Sequence, residues 1–105
     1  SLPKPLREIA PGYVPEEFTA SFTEAFSNHF PQIRVDPATI EYVWRHVGDD
    51  PALVDDLLVI VDDEYWETPG TWPLTALVAH VNEAQEKGRD VIRQQAQRVR
   101  EGGLA

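Results

Sequence analysis

The chain contains no cysteine among its 105 residues. That excludes a disulfide scaffold, a thiolate metal site and a cysteine nucleophile. Long apolar runs are missing too. The longest is Leu57 to Val61, far short of the roughly 20 residues a membrane-spanning helix needs. Basic residues are scarce, with 9 Lys and Arg against 18 Asp and Glu, for a formal net charge of -9. Between residues 35 and 86 Arg45 is the single Lys or Arg against twelve acids. A body charged in this way repels phosphate backbones and anionic lipid, so direct nucleic-acid binding and membrane-surface attachment are not expected of it. What remains is 42% apolar and 10% aromatic residues in 11.9 kDa, enough for one core and one domain.

Pro3, Pro5, Pro11 and Pro15 predict an extended arm over residues 1–15, because proline fixes its own φ and restricts the residue before it. Leu2, Leu6, Ile9 and Tyr13 are the residues that would pin it to a core. Phe18, Phe22, Phe26 and Phe30 then recur every fourth residue, one stripe on a helix near 16–30 that Pro31 stops. Asp36 followed by Pro37 starts a second helix, with Ile40, Val43, Trp44 and Val47 on one face and Gly48 after its end. Asp50 followed by Pro51 repeats that start for a third helix near 51–66. Leu57 to Val61 also reads as a short buried strand, but the apolar set extends beyond it at helical spacing, which favours helix. Trp72-Pro73 opens a fourth helix with Leu74, Leu77, Val78, Val81 and Ala84 on its face. From 87 to 100 the balance reverses to five bases and one acid. The spacing there predicts a basic tail helix with a narrow stripe of Val91, Ile92, Ala96 and Val99.

Three constellations could carry chemistry. Leu58-Val59-Ile60-Val61-Asp62-Asp63-Glu64 has the look of a magnesium-binding strand end. That chemistry also needs a glycine-rich phosphate loop ending in Lys-Ser or Lys-Thr, which the chain lacks. His80 and Glu83 lie one turn apart, but a bundle metal site needs several carboxylates and repeated Glu-x-x-His pairs, so no metal or cofactor is expected. The acidic pairs Asp49-Asp50, Asp55-Asp56 and Asp62-Asp63-Glu64 read first as solvated faces and second as a face complementing a basic partner. Tyr65, Trp66 and Trp72 fit two roles: covers for the open end of the bundle, or exposed anchors for a partner. The partner-binding candidates are therefore Asp55, Asp56, Asp62, Asp63, Glu64, Tyr65, Trp66 and Trp72 on the body, with Arg89, Arg93, Arg98 and Arg100 on the tail.

Residues 18–86 resemble the N-terminal domain of bacteriophage replicative-helicase loader/inhibitor proteins. The likeness lies in a first helix ending at Phe30-Pro31, then Val35, a helix carrying Trp44, a third helix, and a turn into Trp72-Pro73-Leu74-Thr75. It implies a small helical protein that binds the replicative helicase without catalysis. The third segment is more acidic and the tail shorter than in that family, so no functional residue is carried over beyond attention to the tail. The expectation is an all-α fold: a small bundle of about four helices over 16–87, an extended arm at 1–15 and a basic helical tail at 88–105. Its expected role is that of a cytoplasmic, non-enzymatic adaptor or inhibitor docking on a basic protein surface. The alternative is a self-assembling subunit that dimerises through the tail helix.

Overall fold

In a computed structural model, residues 13–102 are described. They form five helices and, within that range, no strand. These are α1 (Glu16–His29), α2 (Pro37–Val47), α3 (Pro51–Glu67), α4 (Pro73–Lys87) and α5 (Arg89–Arg100). Of the arm expected over residues 1–15, residues 1–12, with Leu2, Leu6 and Ile9, lie outside the described residues. At its near end Tyr13 does not pin the chain to the core, being 54% exposed. The neighbouring Val14 packs there instead.

The local starts follow from side chains. Asp36 accepts from Thr39 N at 3.2 Å and from Thr39 Oγ1 at 2.6 Å, so the first turn of α2 is capped before Pro37 fixes its φ. Asp50 accepts from Leu53 N at 3.1 Å and does the same for α3. Gly48 follows the end of α2 as expected, with a right-handed φ of -65. Glycine is needed there for another reason: a Cβ would collide with the ring and carbonyl of Trp44. Gly88 does have φ +102 and ψ 149, a conformation open essentially to glycine alone. It breaks the chain between α4 and α5 after one residue.

Helix α3 is the hub, packing against each of the other four. A helix covered on several sides needs apolar residues around most of its circumference. That is why Leu57 to Val61 imitates a strand in the sequence. Leu53, Val54, Leu57, Leu58, Ile60 and Val61 are all buried. Phe22, Phe26 and Phe30 are buried in the core, and Trp44 meets Phe18 at 5.2 Å between ring centres.

The tail is a fifth helix of the bundle. Its most extensive contact is with α3, and Ile92 and Ala96 are fully buried. Arg89 and Arg93 meet residues at the start of α3 and Arg100 meets its second turn, so α5 runs alongside α3 in the same direction. If this packing is right, Ile92→Ala should lower stability by about 2–5 kcal/mol and Phe26→Ala by about 3–5 kcal/mol. Chemical denaturation of the two variants checks both. An Ile92→Ala variant as stable as the parent would place α5 off the body.

Candidate functional site

The acidic and basic candidates largely meet each other. Arg89 contacts Asp49 Oδ1 at 3.1 Å and Asp50 Oδ2 at 3.4 Å, and donates to the His46 carbonyl at 3.0 Å. One guanidinium thus ties the end of α2 and the start of α3 to the start of α5. Arg93 adds a 2.6 Å contact to Asp50, whose other oxygen caps α3. Arg100 meets Asp56 at 2.5 Å and Asp55 at 3.4 Å. Asp56 is buried, and a buried carboxylate left without its cation would be strongly destabilising. The other pairs are partly open to water and each adds at most about 1 kcal/mol. Arg98 points to solvent and has no partner among the described residues.

The acids at the end of α3 are held by histidines. Asp62 takes a hydrogen bond from His29 Nδ1 at 2.9 Å through Oδ2 and one from Trp66 Nε1 at 3.0 Å through Oδ1. His80 reaches Glu64 with Nε2 and Glu83 with Nδ1, both at 2.9 Å. The ring satisfies both carboxylates only when both nitrogens carry protons. Gln95 of α5 donates to the second oxygen of Glu83 at 3.2 Å. His80 and Glu83 therefore join α3, α4 and α5 as a hydrogen-bonded strut. Among the described residues no group of three or more His, Asp or Glu is arranged to hold a metal ion.

The aromatic candidates stand at the surface. Trp66 is 76% exposed and Trp72 53%, so neither serves as a cover for the bundle. Tyr65 is half out, edge-on to buried Phe30 at 5.4 Å and to Trp66 at 5.2 Å. With the phenylalanine stripe these rings make a continuous series from Trp44 through Phe18, Phe22, Phe26, Phe30 and Tyr65 to Trp66. Beside the last rings, His29, Phe30, Pro31, Gln32 and Ile33 line, with Tyr65 and Trp66, a groove of about 270 Å³. Asp63 lines a second hollow that shares His29 and Trp66 with this groove, Glu67 follows Trp66 in the helix, and neither has an ionic partner among the described residues. Of these, His29, Phe30, Pro31, Gln32, Ile33 and Glu67 were not among the residues the sequence singled out for binding. The signal present was the phenylalanine stripe, whose last member leads to Tyr65.

Comparison with known proteins finds no matching family model, no matching curated protein and no matching solved structure. The likeness to phage helicase loaders rests on the short pattern around Phe30-Pro31, Trp44 and Trp72-Pro73.

The Glu83 carboxyl is held below the ordinary glutamate value, first by the hydrogen bond to His80 and then by the one to Gln95, against the opposing effect of burial. A carboxylate lowered on folding adds stability that is complete above its unfolded value and is lost as pH falls through its folded value. Glu83→Gln should therefore be less stable than the parent at pH 7, with the gap closing below about pH 4. Urea denaturation at a series of pH values measures it. A gap that persists unchanged into acid would assign Glu83 a packing role alone.

Proposed function

We propose that this chain is a non-catalytic docking module that binds a basic surface of another protein through the end of α3, where Tyr65 and Trp66 are exposed beside Asp63 and Glu67 in the same helix. The observation that supports this most is what remains after the internal charges have been matched. Arg89, Arg93 and Arg100 are taken up within the chain by Asp49, Asp50, Asp55 and Asp56, and Asp62 and Glu64 are hydrogen-bonded by His29 and His80. At the end of α3, exposed Trp66 and Tyr65 stand beside Asp63 and Glu67, which have no ionic partner among the described residues. Tryptophan and tyrosine supply much of the energy at protein interfaces, and complementary charge speeds encounter and restricts partners. The surplus of acids argues for a protein partner over nucleic acid. A replicative helicase is one candidate, on the strength of the sequence resemblance. The rival role, self-assembly through the tail, draws little support from α5, whose Ile92 and Ala96 are already buried against its own chain and whose Val91 and Val99 are half-buried.

The test is affinity capture from the native host with the full chain and with Trp66→Ala. The parent should retain a partner that elutes as salt is raised from about 0.05 to 0.5 M, because exposed charge contacts are screened within about 8 Å at physiological salt. Trp66→Ala should fold normally and lose that partner. Tight binding of the chain to duplex or single-stranded nucleic acid at physiological salt would contradict the reading.

A further inference from the structure

We propose that the groove beside Trp66 receives an arginine-bearing, extended segment of the partner. Its guanidinium would lie on the indole, and a neighbouring proline or aliphatic side chain would rest on Phe30, Pro31 and Ile33. This rests on the docking function above and names its point of contact.

Size comes first. A groove of about 270 Å³ is smaller than the roughly 300–1,000 Å³ of a small-molecule pocket and suits one or two side chains. It is apolar at its floor, where Phe30 is buried and Ile33 packs on the core, and aromatic at its rim.

Charge decides the sign of the occupant. Each of α1, α2, α4 and α5 ends with a basic residue in its last turn, and α3 has none. Its last turns carry Asp62, Asp63, Glu64 and Glu67 instead, at the negative pole of the helix. His29 and His80 answer two of these acids. Asp63 and Glu67 are left, one turn apart on the same side of α3. Asp63 lines with Asp62 and Trp66 a second hollow that shares the indole with the groove, and Glu67 follows Trp66 in the chain. A cation lying on the indole from outside would complete the pattern. An anionic lipid or nucleic acid would be repelled there.

The rings select arginine among cations. Trp66 donates its Nε1 proton to Asp62, and Asp62 is held in turn by His29. The polar edge of the indole is thus satisfied and its orientation fixed, which leaves its faces as the available surface. A planar, weakly hydrated guanidinium stacks on such a face while reaching carboxylates with its N–H groups, which a lysine ammonium does less well. Holding the ring in place beforehand reduces the ordering cost of binding.

The experiment uses the ¹⁵N-labelled full chain and a short peptide in which arginine alternates with proline and leucine. The same peptide with citrulline in place of arginine is the uncharged control. The Trp66 indole N–H signal is assigned by its loss in Trp66→Phe. The arginine peptide should move that signal together with the amides of Ile33 and Tyr65, and citrulline should weaken binding about tenfold. Asp63→Asn with Glu67→Gln should weaken it severalfold and flatten its salt dependence. Trp66→Ala should abolish the shifts with the melting temperature unchanged, since the side chain is largely in solvent.

Several results would overturn the proposal. Shifts confined to Asp49–Asp56 and α5 would keep a basic partner but move it off the groove. Equal shifts from both peptides would remove the charge selection, and no shift from either would remove the site. Movement of the Trp66 signal with protein concentration alone would make a second copy the occupant. Capture of a salt-sensitive host partner equally by parent and Trp66→Ala would refute the groove while leaving the docking function standing, whereas failure to capture any protein would count against that function itself.

Discussion

The lateral docking of α5 on α3 is the constraint from which most of the surface follows. A 12-residue helix is marginal in water alone, because nucleation is unfavourable and few hydrogen bonds follow it. It persists here because Ile92 and Ala96 are buried and because arginines at both of its ends find aspartates on and just before α3. The apolar contact supplies the larger part of the energy. The ion pairs set register and direction, since only one alignment brings Arg89 to Asp49 and Arg100 to Asp56 together. The sequence is strongly divided into an acidic body and a basic tail, yet the folded chain cancels much of that division internally.

The second consequence concerns α3. It is surrounded, so its apolar residues wrap most of the way round, and the chain has to discharge its polar character at the helix end. The acids gathered there would be unfavourable against the negative pole of the helix. His29 from α1 and His80 from α4 reach two of them; of the remaining two, Asp63 is half-buried and Glu67 is exposed next to Trp66. A series of packed rings connects the centre of the core to that corner. The exposed aromatic group is therefore seated on the rigid part of the molecule, where ring orientation is set by packing and by the Trp66–Asp62 hydrogen bond.

Local features were legible and distant ones were not. The caps Asp36 and Asp50, each followed by proline, and the fourfold phenylalanine spacing fix helix starts and faces through interactions within one or two turns. The continuous Leu57–Val61 run was ambiguous because burial on several sides erases the periodicity that distinguishes helix from strand. Pairings such as Arg89 with Asp49 or Phe30 with Tyr65 join residues far apart in the chain, and no local pattern encodes them. The Tyr65–Trp66–Trp72 group was visible as chemistry, but exposure decides its role, and exposure is a property of the assembled helices. Gly48 illustrates the same limit: a terminator by sequence, it is required by the proximity of the Trp44 ring.

The most direct test of this account is native-state hydrogen exchange of α5 in the full chain, followed from low salt to about 1 M, where surface charge contacts are screened to about 3 Å. If α5 is an integral part of the bundle, the amides of Ile92 and Ala96 exchange as slowly as those of Leu57 and Leu77, and salt lowers their protection only modestly. Fast exchange of α5 beside a protected body would show the tail to be detached, and the internal matching of charge on which the account depends would be wrong.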